Sequence, residues 1–292
     1  MSRSNTAEVI KPDRMKKITL FFLAFLLCSC EKDVPVGDTK HSYYRNHYYN
    51  SYADSSLTVL TYNVQLGFTN YQDPWDKNQT GGSAAQIHDI AEIIRRVDPD
   101  IVALQEVPID RSNSIVKHFI EALADSLRMN FAFGGHSKND PYGVWPVHGV
   151  WGNATLSKFP IVEIENIEVY YKGMWNRRSV LRSRISLNEN LSVDVFNLHH
   201  AAKEDSEMER TKNFLATSTL PVLIAGDFNR RYADPTLSLL SNYQDLFNSH
   251  ISGIDRIYSN FNDTVFGTGG IVGSNIVSDH MAYYAKIRLN AH

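Results

Sequence analysis

Six short runs join an apolar, strand-like stretch to groups able to hold a proton, a metal ion or an oxyanion. They are Thr61-Tyr62-Asn63, Leu104-Gln105-Glu106-Val107, Asn197-Leu198-His199-His200, Ile224-Ala225-Gly226-Asp227-Phe228-Asn229, Ile254-Asp255-Arg256-Ile257 and Ser278-Asp279-His280. Taken singly, each reads as a turn residue or a satisfied histidine. Polar groups at strand ends are costly to bury unless they pair or bind a ligand, so the repetition favours one shared site. That site would contain carboxylates, amides and imidazoles but no thiol, because Cys28 and Cys30 both lie near the N-terminus. A cysteine zinc site, a disulfide framework and a cysteine nucleophile are therefore excluded from the rest of the chain. Such residues suit phosphoester hydrolysis, which needs a hard cation, an oriented water and donors for developing charge. Oxygen ligands favour Mg²⁺ or Mn²⁺, with Glu106 the first expected ligand and Asn63 beside it. Asp227 and Asn229 are two residues apart and share one side of an extended backbone. His199 and His200 would face opposite sides of a continuing strand, and His199 is the preferred site residue.

The elements that must position these groups can be read from periodicity. Alternating or continuous apolar residues predict strands at 57–64, 101–104, 150–156, 164–170, 180–187, 191–198, 220–225 and 281–289. Ala84, Ile87, Ile90, Ala91, Ile94 and Val97 recur at helical spacing, with Ser83 as N-cap and Asp98-Pro99 as the stop. Further helices are expected at 115–127 and near 206–215, with a short one near 235–240. Many strands with a few helices between them predict a layered α/β sandwich. With no internal repeat and no linker-like break after residue 57, residues 57–292 read as one catalytic domain.

Together and in this order, the polar runs resemble those of the endonuclease/exonuclease/phosphatase superfamily, the DNase I-like proteins, over residues 57 to 289. The run Gly152-Asn153-Ala154-Thr155-Leu156-Ser157-Lys158-Phe159-Pro160 is similar to a signature of its bacterial members. The resemblance implies a four-layer α/β sandwich, two face-to-face mixed β-sheets flanked by helices. It also implies roles: Asp279 as a further metal ligand, directly or through water, and Asp227 and Asn229 orienting the nucleophile. Asp255 and His280 would form a carboxylate–imidazole pair, and His199 would donate to the phosphate or leaving group. Asn153, Arg177 and Arg178 are the candidate substrate contacts. The substrate would be a phosphoester of lipid, nucleotide or nucleic-acid type. The marks of inositol 5-phosphatases are incomplete, since no Trp-Cys precedes Ile254 and no Trp precedes Gly226. The motifs of calcineurin-type phosphoesterases are absent. A secreted DNase-like endonuclease and a non-catalytic surface protein retaining the fold are the alternatives.

Net charge is −3, and the first 29 residues hold Arg3, Lys11, Arg14, Lys16 and Lys17 against Glu8 and Asp13, so the remainder is more acidic than the whole. That is a poor footprint for general duplex-DNA binding. Lys172, Arg177, Arg178, Arg182 and Arg184 form the one strongly basic stretch. The segment from Gly134 to Trp151, with His136, Tyr142, Trp145 and His148, reads as a cleft wall or a self-packed surface loop. At the N-terminus, Lys16 and Lys17 lead into an apolar run at 18–27 that is too short to span a bilayer and reads as a signal peptide, 1–29. Met15 allows residues 1–14 to be an upstream extension. Leu27-Cys28-Ser29-Cys30 resembles a bacterial lipobox, which makes Cys30 the expected lipidation site and 30–56 a tether; an ordinary cleaved secretory signal is the alternative. The expected location is the bacterial cell envelope, anchored by lipid to the outer membrane. No obligate protein partner is expected.

Overall fold

The structure is a computed structural model describing residues 42–48, 56–72, 81–109, 118–136, 150–171, 177–201, 205–246, 253–261 and 266–289. By internal contacts the chain divides into units 1–34 and 35–292, and every described residue belongs to the second. The expected signal and Cys30 lie outside the described residues, as do Tyr142, Trp145, His148 and Lys172. Among the described residues no helix is long and apolar enough to cross a membrane.

The described strands form two sheets. The first runs β1 (Ser42–Arg45), β4 (Asn130–Gly135), β5 (Val150–Ser157), β3 (Ile101–Ile109), β2 (Ser56–Asn63), β13 (Ala282–Arg288), β12 (Phe266–Val272). The second runs β10 (Gln244–Asp245), β11 (Asp255–Ser259), β9 (Val222–Asp227), β8 (Ser192–His199), β7 (Arg177–Ser186), β6 (Ile161–Tyr171). β2–β3 and β8–β9 pair in parallel and the other neighbours antiparallel, so both sheets are mixed, as expected.

Strand alternation sorts each residue to one of two cores. Leu57 and Val59, Ile101 and Ala103, Val193 and Val195, and Leu223 and Ala225 pack together between the sheets. Their neighbours Leu60, Tyr62, Val102 and Leu104 face outward under α1 (Ala84–Arg95) and α2 (Phe119–Leu127). On the other side Phe196, Leu198, Val222 and Ile224 pack under α3 (Asp205–Leu215) and the 3₁₀ turn Pro235–Leu240. The result is four layers: helices, sheet, sheet, helices. Helix α1 begins as its sequence predicts, with Gln86 N donating to Ser83 Oγ (3.2 Å) and Ser83 N to Gln86 Oε1 (2.7 Å), a reciprocal cap.

Five of the described strands, β1, β4, β10, β11 and β12, lie outside the predicted strand ranges; β10 and β11 are short, of two and five residues. β4 and β12 contain paired glycines that weaken the strand pattern, and β1 lies inside the segment expected to be tether. β1 pairs antiparallel with β4, Tyr43 stacks edge-on against Phe131 at 5.5 Å, and Arg45 reaches Glu121 and Asp125. Buried Asn130 then stitches down the following residues: its Oδ1 accepts from His47 N (2.8 Å) and Tyr48 N (2.9 Å), and its Nδ2 donates to Tyr48 O (2.8 Å). These contacts fall after residue 42, so the packed fold starts before residue 57.

Candidate active site

The inward-facing register that builds the inter-sheet core also builds the site. Along β2 the inward positions read Leu57, Val59, Thr61, Asn63; along β3, Ile101, Ala103, Gln105; along β8, Val193, Val195, Asn197, His199; along β9, Leu223, Ala225, Asp227. Aliphatic side chains give way to neutral amides, and these to ionisable groups. The amides form one buried layer: Gln105 Nε2 donates to Asn197 Oδ1 (2.9 Å) and Thr61 Oγ1 (3.1 Å), and Asn197 Nδ2 donates to Leu104 O (3.0 Å) and Ala154 O (2.8 Å). This layer ties the sheets together directly beneath the charged groups.

Above it, Asn63, Glu106, His199, Asp227, Asp255 and His280 converge. Asn63 Nδ2 donates to Glu106 Oε1 and to Asp227 Oδ2, each at 3.2 Å. Asn63 Oδ1 accepts from Gln65 N (3.0 Å), which sets the amide's orientation and turns its nitrogen toward the carboxylates. Glu106 enters the cluster because β3 breaks register with β5 between Leu104 and Val107 and Glu106 adopts φ 53°, a strained backbone for a non-glycine residue. His199 Nε2 lies 3.7 Å from Asp227 Oδ2 and 3.9 Å from Glu106 Oε1. His280 Nδ1 is 2.9 Å from Asp255 Oδ2, and its Nε2 is 3.7 Å from Asp227 Oδ2. Ser278 Oγ donates to Asn63 O (2.8 Å) and Asp279 N to Gln65 Oε1 (2.9 Å), which docks the loop carrying Asp279 and His280 onto the end of β2.

Electrostatics separate these groups. Burial and the neighbouring Asp255 carboxylate push Asp227 up to about 7. Burial disfavours charge on His280, but the Asp255 carboxylate overrides it and holds the imidazolium up to about 10. Burial also raises Asp255, whose Oδ1 has no hydrogen-bond partner among the described residues; the 2.9 Å contact makes the charged pair the state at neutral pH. Glu106 is raised by burial, with Asp279 adding like-charge repulsion. Burial and the nearby Arg178 hold His199 well below its ordinary value.

The remaining sequence-predicted residues fall in different places. Arg178 lies at the cluster, where Glu106, Glu207 and Asp227 favour its charge against the cost of burial. Arg177 instead pairs with Glu168 at 3.4 Å. Asn153 is fully buried and bonds Ser179 O (2.9 Å) and Asn197 O (3.3 Å), in the amide layer. Asn229 reaches φ 51°, gives its N–H to Asp227 Oδ1 (2.8 Å) and donates Nδ2 to His200 O (2.8 Å), bracing the end of β9. The His200 ring faces away, with Nε2 2.9 Å from Thr211 Oγ1 on α3. Asp279 is exposed at the rim. Sequence reasoning missed Gln105 and Asn197 as a structural layer, although both continue the inward register of their strands and were readable from it.

Two mixed sheets packed face to face, with carboxylates, amides and imidazoles gathered at one end, define the DNase I-like class of four-layer α/β sandwich. The chain matches the Endonuclease/Exonuclease/phosphatase family over residues 60–280 and belongs to that family, whose members hydrolyse phosphoesters. It is similar to the protein YbhP of Escherichia coli strain K12, 30% identical over 208 residues that cover 66% of this chain and 75% of that protein. Among solved structures it resembles an endonuclease/exonuclease/phosphatase from Beutenbergia cavernae, with TM-score 0.62 and 18% identity over 82% of this chain and 72% of that one. It also resembles D. rerio TDP2 complexed with a single-strand DNA product, with TM-score 0.56 and 16% identity over 80% of this chain and 100% of that one.

Proposed function

We propose that the chain is a divalent-metal-dependent phosphoester hydrolase held at a bacterial membrane by a lipid on Cys30. The observation that carries the reading is the split between Asp227, pushed up to about 7, and His280, held charged to about 10, only 3.7 Å apart. A pair driven apart in this way supplies a base and a fixed cation in one site at neutral pH. Asp227 takes a proton from the attacking water, and Asn63 and the Asn229 backbone N–H aim its two oxygens. The His280 imidazolium, oriented by Asp255, binds the phosphoryl oxygens. His199, kept neutral, donates a hydrogen bond to the phosphate or leaving group.

The residues present fit a hard cation. Glu106 is a desolvated carboxylate facing a second acid, Asp279, with a single amide donor on its Oε1. Asp227, Asp255 and His280 also place ligand atoms within 4.8 Å of one another, but the Asp255–His280 bond commits that trio to proton and charge chemistry. Glu106 would hold Mg²⁺ or Mn²⁺, with Asp279 at the rim. Asn63 would orient Glu106 through its nitrogen, its oxygen being engaged by Gln65. The ion would neutralise phosphoryl charge and lower the pKa of water.

The test is hydrolysis of bis(p-nitrophenyl) phosphate and p-nitrophenyl phosphate by the purified chain with Mg²⁺, after EDTA, and after Mg²⁺ is restored. Activity that survives EDTA undiminished rejects the metal mechanism, and inertness toward both esters under all metals counts against a hydrolase.

A further inference from the structure

Beside the acidic cluster stand three rings packed edge to face. His136 and Trp151 have centroids 4.5 Å apart, and His199 lies 5.9 Å from His136 and 5.8 Å from Trp151. The Arg178 guanidinium sits 5.2 Å from the Trp151 centroid. His136 is 1% exposed and Trp151 6%. Ser179 N donates to His136 Nδ1 at 3.1 Å, which leaves the proton of a neutral ring on Nε2; burial and Arg178 keep that ring neutral. His136 Nε2, Trp151 Nε1 and Arg178 Nε are buried and have no hydrogen-bond partner among the described residues.

Three desolvated N–H donors around one ring cluster are unfavourable unless a ligand that accepts hydrogen bonds completes them. They adjoin His199, whose other side meets Glu106 and Asp227, so the missing acceptor belongs next to the reacting group. Arg178 is the one cation among them, and its charge is already opposed by Glu106, Glu207 and Asp227. A non-bridging phosphoryl oxygen is an acceptor of this kind, and N–H donors that include a guanidinium suit it.

We propose that His136, Trp151 and Arg178 form an oxyanion pocket beside His199 that receives the non-bridging oxygens of the phosphoester. This rests on the hydrolase reading above and adds binding residues to the same site.

The pocket is tested without turnover by titrating the purified, Mg²⁺-loaded chain with dimethyl phosphate and following the indole N–H resonances by NMR. Trp151→Phe, which keeps a ring and deletes the donor, assigns the Trp151 signal. The Trp151 resonance should move on titration, and Trp151→Phe should weaken dimethyl phosphate binding at least about tenfold. The same substitution should raise KM for bis(p-nitrophenyl) phosphate more than it lowers kcat. A stationary Trp151 resonance, or unchanged affinity in the variant, overturns the pocket. Dimethyl phosphate binding at Trp151 with neither ester cleaved would uphold the pocket while rejecting the hydrolase reading.

Discussion

His200→Gln separates two adjacent histidines whose roles the fold divides. His200 is fully buried, 2.9 Å from Thr211 Oγ1 and edge-on to Phe228 at 5.6 Å. Burial, with Arg230 and Arg178 nearby, pushes it down to about 3. The unfolded chain binds a proton at this residue below about pH 6.5 and the folded chain does not, so its contribution to stability is whole above that pH and is lost as pH falls toward 3. In that window each pH unit costs about 1.4 kcal/mol, so acidification from pH 7 to pH 5 should remove about 2 kcal/mol through this one side chain. Gln can still bond Thr211 but does not titrate. Urea unfolding should find the variant less stable at pH 7 by about 1–2 kcal/mol, from lost ring packing. Its further loss between pH 7 and pH 5 should be about 2 kcal/mol smaller than that of wild type. Some acid sensitivity will persist in the variant, because His136 and His199 are shifted in the same direction. Identical pH dependence in the two proteins would refute the reasoning.

Within the acidic cluster, Glu106→Gln, Asp227→Asn and His280→Ala should each lower the hydrolysis rate at least about a hundredfold with the circular dichroism spectrum unchanged; a near-wild-type rate in any of them removes that residue from the mechanism. A chain starting after Tyr48 should be less stable in urea unfolding than one starting at Ser42 by at least about 3 kcal/mol, because buried Asn130 loses the three backbone partners it has at His47 and Tyr48. Gly152→Ala should destabilise by about 3 kcal/mol or more, since its Cβ would strike the Gly134 carbonyl oxygen on β4, where neither strand can yield; thermal melting would measure this. Cys30→Ser should shift the expressed chain from the membrane fraction to the soluble fraction, and unchanged partitioning would reject lipidation at that residue.

Much of the site could be read from the order of residues because strand alternation is a local property of the backbone. Once Leu57 and Val59 or Leu223 and Ala225 are placed inward, Asn63 and Asp227 must face the same side. The same parity sends His199 inward and His200 toward α3, as the spacing predicted. Helix α1 carried its own start signal in Ser83, and the structure adds the reciprocal bond from Gln86. Other features had no local signature. Ser42–Arg45 reads as polar tether, and only β4 and the buried Asn130 make it a strand. Glu106 needed a register break and a positive φ to enter the cluster, both imposed by the pairing of β3 with β5.

The sequence by itself determined which residues end each strand, which of their faces point inward, and that no thiol takes part. The tertiary structure alone decided which inward faces meet. Asn63 and Asp227, 164 residues apart, share a hydrogen bond because one sheet is laid on the other. The same packing sets Asp227 against Asp255 and gives His280 its carboxylate, and so raises the Asp227 carboxyl while holding the His280 imidazolium. It also leaves the donors of His136 and Trp151 buried without acceptors among the described residues. Burial and long-range juxtaposition set these energies, and neither exists until the two sheets close on each other.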